Sequence, residues 1–418
     1  MKSASEMRME LSPEQKFGPL KALEDAEVQT AIQQVVQDPK AIKGLSKLFF
    51  GYWAHFPPLR WLLAWFFRWV MRNVSSVEDL HGVMKGSLDL VLNQRKLILE
   101  VHGEEHFSTL DTPLLFISNH RDIVLDSLLL NRFLFSGYKV SSRVAIGDNL
   151  LQLPDWGSIL MRAVGCFMVD RTSGSSRHQY RNHQMLSSYI RYLLTDKLKS
   201  VWLAQSAGRS VDGVDRTDPA VLKMLRLADR KQSFSQAVGS YRIVPVTLSY
   251  EYDSCGFYKA QRLAAVARDQ RWNPEYAKEA QSSFLADKGR VCLQLGRPIE
   301  AAHEPQYFES PEALSQELDV RIRSGYQFWP TAYVAAGLLI EAYENARALQ
   351  QQVPEQPAYF SHDVIEAAGA QCPWNAQELQ KAQQYFAQLK KRLDALEQYF
   401  VYSYYANALL QTIAVGRA

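Results

Sequence analysis

The sequence predicts an α/β fold, a mainly parallel or mixed sheet flanked by helices, with helical extensions at both ends. Three observations carry this. Seven short apolar or β-branched runs between residues 96 and 295 alternate with stretches of helical periodicity. No alternating strand run occurs before about residue 90, and helical periodicity returns after about residue 301. At 418 residues, with 47% hydrophobic and 22% charged side chains, the chain holds enough apolar material for two or three domains, which excludes fibres and disorder.

Taken in order, residues 1–90 read as a helical region, polar over Ala22 to Gln37 and apolar over Trp61 to Met71. Strands are expected at Lys96 to Val101, Leu114 to Ser118, Val140 to Ile146, Cys166 to Val169, Val201 to Ala204, Ile243 to Tyr250 and Val291 to Leu295. Helices fall between them at Ser127 to Phe135 and Tyr180 to Thr195, making residues 91–305 the α/β domain. In the region 306–418, helices are expected over Ser310 to Ser324, Thr331 to Gln351 and Gln377 to Tyr399, with Pro354 and Pro357 marking a break.

Charge and cysteine content narrow the function classes. The net charge of +3 is too small for a nucleic-acid footprint. Cys166, Cys255, Cys292 and Cys372 lie too far apart for a CxxC or finger pattern, which fits a reducing cytosolic location. The first residues lack the apolar core of a secretory signal. Two segments approach the apolarity of a membrane span without reaching it. Residues 48–72 are dense in Trp, Phe and Leu but broken by Pro57, Pro58, Arg60 and Arg68; Phe400 to Val415 is interrupted by Ser403, Asn407, Gln411 and Thr412. Aromatics interleaved with arginine at helical spacing suit a helix lying in the headgroup layer, although a core helix shows the same pattern.

Ligands of open α/β sheets bind beyond the carboxyl ends of strands, so the segments that follow each apolar run carry the chemistry. One delivers Asn119-His120 into a loop that continues through Arg121, Asp122 and Asp126. A histidine whose tautomer is fixed by a carboxylate is the minimal general base for a hydroxyl. A second runs from Gly165 through Arg171 into a Ser/Gly loop ending in Arg177, where guanidinium groups, hydroxyls and backbone amides suit phosphate. A third, Ser206-Ala207-Gly208-Arg209-Ser210, is a glycine turn followed by an arginine that can pair with an anion. Gly-x-Ser-x-Gly, Gly-Lys-Ser/Thr and Gly-x-Gly-x-x-Gly patterns are missing, which disfavours serine-hydrolase, nucleotide-hydrolysis and dinucleotide chemistry. His102 and His106 sit beside a strand, where four-residue spacing loses its helical meaning, and no metal is expected.

In order and spacing these blocks resemble those of the glycerolipid acyltransferases. That family shows an Asn-His with a downstream Asp, a Gly-x-x-Phe-x-x-Arg strand end, a Glu-Gly-x-Arg or Glu-Gly-Gly-Arg-Ser turn and a Val-Pro-Val strand. The counterparts here are Asn119-His120 with Asp126, Gly165 to Arg171, Ser206 to Ser210, and Val244-Pro245-Val246, with Gly296-Arg297-Pro298-Ile299 matching a later Gly-x-Pro-Ile. The resemblance spans about residues 96 to 300. It implies acyl transfer without a cofactor, from acyl-CoA or acyl-carrier protein to the hydroxyl of glycerol-3-phosphate or 1-acylglycerol-3-phosphate, by a protein held peripherally on the inner face of a membrane. It implies His120 as base with Asp126 behind it, and Arg171, Arg177, Gly208, Arg209 and Ser210 around the acceptor.

Two departures stand out. The family's Asp lies five positions after the His, where this chain has Leu125, with Asp122 and Asp126 on either side. A one-residue insertion assigns the role to Asp126 and leaves Asp122 as a helix cap. The acid of the glycine turn is also absent, Ser206 or Ala207 standing in its place; Glu251 and Asp253 replace it only if the fold brings them near. That loss favours two rivals: an impaired lipid-binding member of the fold, and an O-acyltransferase for a different lipid acceptor.

Overall fold

The computed structural model describes residues 16–18, 20–50, 57–94, 97–107, 109–147, 155–170, 175–273, 276–349 and 360–417. Four helices come first: α1 (Asp25–Gln37), α2 (Pro39–Phe50), α3 (Pro57–Met71) and α4 (Val77–Gln94). The α/β part follows as β1 (Ile98–His102), β2 (Leu115–Ser118), α5 (Leu125–Tyr138), β3 (Ser142–Gly147), α6 (Asp155–Ala163), β4 (Cys166–Val169), α7 (Ser176–Thr195), β5 (Ser200–Ala204), α8 (Pro219–Leu225), α9 (Phe234–Val238), β6 (Ile243–Tyr250), α10 (Gly256–Ala267), α11 (Tyr276–Leu285) and β7 (Arg290–Leu295). Helices α12 (Pro311–Ser324), α13 (Pro330–Ala348), α14 (His362–Ala370), α15 (Ala376–Lys390) and α16 (Ala395–Arg417) complete the chain.

The seven strands form one sheet in the order β1-β7-β6-β2-β5-β3-β4, parallel throughout except for the antiparallel β6–β7 pair. Strand β2 is central and reads as an apolar run because both its faces are covered. Leu114 and Phe116 join the cluster built on α4 and α5, whereas Leu115 and Ile117 join the one built on α7, α8 and α12. Period-two alternation thus feeds two cores from one strand.

The third core belongs to α13–α16. Helix α16 is apolar on nearly every side, and Phe400, Val401, Tyr404, Ala406, Leu409 and Leu410 are all buried in it. The apolar run is therefore core from Phe400 to Ile413, while Val415 is exposed. Among the described residues no helix is long and apolar enough to cross a membrane. The single helix expected over Gln377 to Tyr399 is two. Asp394 Oδ1 accepts from the amides of Leu396 and Glu397, while Glu397 accepts from the Asp394 amide, so a capping box starts a new helix there. The Pro354–Pro357 break lies outside the described residues.

Helix α3 exposes one stripe: Trp61, Leu62, Trp65, Phe66 and Trp69 are each 47–73% accessible. Its Arg68 is also exposed, and its Nε donates to the Val36 carbonyl and ties α3 to α1 (3.2 Å). Trp156 packs on Gly44, where a Cβ would stand 2.4 Å from the indole. Trp329 is buried, its Nε1 donating to the Ser249 carbonyl (3.1 Å), and Phe328 stacks on Tyr326.

Candidate active site

Strands β2, β5 and β6 run parallel, so their carboxyl ends deliver three loops to one place. The turn after β2 is fixed first. Asn119 is fully buried; its Oδ1 accepts from the Leu248 amide (2.8 Å), and its Nδ2 donates to the Leu248 carbonyl (3.0 Å) and to the Tyr326 hydroxyl (2.7 Å). The side chain pairs with β6 as a strand residue would, which aims the next residue out of the sheet.

That residue is His120. Its Nδ1 lies 2.8 Å from Asp126 Oδ2, and because the partner is a carboxylate, Nδ1 carries the proton and Nε2 is left basic. The ring sits edge-on to Trp202, 5.5 Å between centroids. His120 is 20% exposed against 1% for Asp126, so the imidazole faces the site while its carboxylate is enclosed. Asp126 Oδ2 also accepts from the amides of Arg121 (2.6 Å) and Asp122 (3.1 Å), and Oδ1 accepts from the Tyr250 hydroxyl (2.7 Å). Burial, reinforced by Asp126, raises the Tyr250 hydroxyl well above its ordinary value, so it stays a donor.

Asp122 takes the other role. Its Oδ1 accepts from the amides of Val124 and Leu125 (2.9 Å each) at the start of α5, and Oδ2 pairs with buried Lys288 (3.2 Å). Burial opposes its charge, yet Lys288 and the two amides outweigh burial and hold the carboxyl well below the usual range.

The loop after β5 closes the other side. The Ser210 amide donates to the His120 carbonyl (2.8 Å), and Gly208 has φ +95°, a left-handed conformation that glycine supplies without strain. Arg209 Nη2 is bound to Glu279 of α11, and both side chains are largely buried. Burial disfavours the guanidinium charge, but Glu279 outweighs it and the group stays ionised. Arg209 Nη1 and Ser210 Oγ are buried without hydrogen-bond partners among the described residues. Cys255 lies nearby, and burial pushes its thiol up to about 11, which leaves it unreactive at neutral pH.

Beneath this surface is a second layer of buried charge. Arg121 Nη2 donates to Asp215 Oδ2 (2.8 Å), to the Tyr326 hydroxyl (2.6 Å) and to the Gly213 carbonyl (3.2 Å). Lys259 Nζ donates to Asp253 Oδ2, the Tyr404 hydroxyl and the Arg121 carbonyl, 2.7 Å each. The Asp253 amide donates to Tyr405 (2.7 Å), and Asn407 donates to the Asp212 carbonyl (2.7 Å). At Gly213 (φ +79°) an added Cβ would stand 2.1 Å from the Tyr404 carbonyl oxygen, so only glycine lets α16 approach the loop this closely.

The structure thus brings together His120, Asp126, Gly208, Arg209 and Ser210. Arg177 is exposed on the first turn of α7, with no hydrogen bond or ion pair to this cluster among the described residues, and Arg171 lies outside them. Glu251 and Asp253 do not serve the glycine turn: Glu251 binds Arg290 through both oxygens, and Asp253 holds Lys259. Tyr250, Lys259, Glu279, Tyr326 and Tyr404 were beyond sequence reasoning, since each reaches the site only through tertiary packing. No group of three or more potential metal ligands occurs among the described residues.

Residues 98–249 match the acyltransferase family model. This segment is therefore an acyltransferase domain. Among solved structures, the 1-acyl-sn-glycerophosphate (LPA) acyltransferase PlsC from Thermotoga maritima is similar at 14% identity and a TM-score of 0.37, over 71% of this chain and 92% of that one. So loose a likeness carries no argument here. None of the curated proteins compared matches the chain. Lys259, Glu279, Lys288 and Tyr404 all lie beyond the matched segment, so much of the site's support comes from outside the acyltransferase domain.

Proposed function

We propose that the protein transfers an acyl group from an acyl thioester, acyl-CoA or acyl-carrier protein, to the hydroxyl of glycerol-3-phosphate or 1-acylglycerol-3-phosphate, with His120 as general base. The observation that carries this reading is the 2.8 Å contact from His120 Nδ1 to the enclosed Asp126 carboxylate. Nε2 takes the acceptor's proton as its oxygen bonds to the thioester carbonyl carbon, Asp126 stabilises the imidazolium, the C–S bond breaks, and the departing thiolate takes the proton. No acyl-enzyme forms. Arg209 and Ser210, together with Arg171 and Arg177, hold the acceptor phosphate in this reading, so positioning and charge pairing supply the rest of the acceleration.

Residues 1–90 supply the membrane contact in this reading, 91–305 the chemistry and 306–418 its buttress. Support for a membrane surface comes from the exposed aromatic stripe of α3 and from Lys40, Lys43 and Lys47, exposed along neighbouring α2. The substrate and the catalyst then meet on the inner face of the bilayer.

The test is acceptor-dependent thiol release with each donor and each acceptor, comparing the parent with His120→Ala. A loss of about 10³-fold is expected in the folded variant, within the range for a general base. Activity within tenfold of the parent rejects His120 as base.

A further inference from the structure

The glycine turn at Gly208 carries no acid of its own, since Ser206 and Ala207 stand before it. The fold nevertheless puts a carboxylate on its arginine. Glu279 comes from α11, in the excursion between β6 and β7, seventy residues further along the chain. It is 3% exposed, and a carboxylate so enclosed is strongly disfavoured unless a cation meets it. Arg209 Nη2 is that cation's contact. The far nitrogen, Nη1, and the adjacent Ser210 hydroxyl are both buried and unpartnered, on a loop bonded directly to the His120 carbonyl. A guanidinium gripped at one edge presents the other in a fixed direction, which a freely rotating arginine does not.

We propose that Glu279 is the positioning residue of this anion-binding turn, supplying from α11 the carboxylate the turn lacks and holding Arg209 so that Nη1 and Ser210 Oγ meet the acceptor. This rests on the reading that Arg209 binds the acceptor's phosphate. Glu279 touches no reacting atom. Its effect is confined to acceptor capture: releasing Arg209 weakens acceptor binding, leaves the thioester untouched and leaves the His120–Asp126 pair intact.

The experiment is steady-state acyl transfer with glycerol-3-phosphate or 1-acylglycerol-3-phosphate, whichever the parent uses, on full-length Arg209→Ala, Glu279→Gln and Glu279→Gln carrying Ala207→Glu. Glu279→Gln keeps the shape and removes the charge; it is expected to raise acceptor KM about tenfold, with donor KM and kcat within about threefold of the parent. Placing the acid back in the turn with Ala207→Glu is expected to return acceptor KM to within about threefold. If Arg209→Ala leaves acceptor KM unchanged, the reading of Arg209 fails. If Arg209→Ala raises it and folded Glu279→Gln does not, the assignment of Glu279 is overturned. Should Glu279→Gln not fold, the double variant decides: parental acceptor KM supports the proposal, and a tenfold rise in folded protein overturns it.

Discussion

Around the turn after β2, charged side chains are buried and paired; along α3, aromatic side chains are exposed to water. Each region inverts the usual placement of its residue types, in opposite senses. Arg121, Asp122, Lys259 and Lys288 are each less than a tenth exposed, and each meets an oppositely charged group within 3.2 Å. Buried pairs of this kind add little net stability, but removing one partner is severe, so they fix loops in a single arrangement. The stripe at Trp61, Trp65 and Trp69 fixes nothing in the fold. Large apolar faces left in water gain by meeting another apolar phase, whatever its detailed shape. One region holds a defined geometry, and the other leaves an apolar face uncovered.

The sharpest way to break the comparison is Lys259→Met. It leaves Asp253 enclosed without its cation, although burial is offset today by Lys259 and Tyr404, which hold the carboxyl below its ordinary range. A loss of about 3–5 kcal/mol in unfolding free energy is expected from urea titration. A loss under about 1 kcal/mol shows that the pair is not what holds the loops.

Elsewhere in the fold a buried titratable group has no carboxylate in contact with it. His81 is enclosed, its Nε2 donating to the Val164 carbonyl at 3.0 Å, and burial, aided by Arg143, pushes it down to about 4. The unfolded chain therefore binds a proton that the folded chain refuses between about pH 6.5 and 4. Stability falls as pH drops through that window, by about 3 kcal/mol at pH 4 from this group alone. His81→Gln is expected to flatten that part of the pH–stability curve. Parallel curves for parent and variant refute the assignment.

On the exposed side, replacing Trp61, Trp65 and Trp69 together with Gln is expected to lower binding to anionic lipid vesicles at least tenfold, about 1.4 kcal/mol. Unfolding free energy is expected to stay within about 0.5 kcal/mol of the parent, since surface positions contribute little to the fold. Unchanged vesicle binding, measured by co-sedimentation, sinks the membrane role of α3.

The strands were legible because each is a short run bounded by breakers, and a central parallel strand must be apolar on both faces. Asp126 was legible through the leucines that follow it, and Asp122 through its place just ahead of a helix. The break at Asp394 is masked in the sequence: Asp394-x-x-Glu397 is a capping box, but the apolar spacing of Leu389, Leu393 and Leu396 runs across it. Glu279 was not legible. Its local sequence is an ordinary helix segment, and the arginine that makes it matter lies on a different strand's loop. Tyr250 ends a strand whose alternation says which face it lies on but not that an aspartate waits there. Charge partners across a fold are set by topology, and one sequence carries no record of who meets whom.

The approach of α16 to the loop at Gly213 has a consequence for how the molecule comes into being. Tyr404 and Tyr405 hold Lys259 and Asp253, which in turn anchor the Arg121 carbonyl next to His120. Translation supplies residue 404 long after residue 249, the end of the acyltransferase segment; at ribosomal rates the delay is about ten to thirty seconds. For that interval the growing chain has His120, Asp126 and the glycine turn, yet lacks the helix that pins them. The loops around His120 are pinned only when α16 has emerged and docked, so the order of synthesis makes this arrangement one of the last in the molecule to be completed.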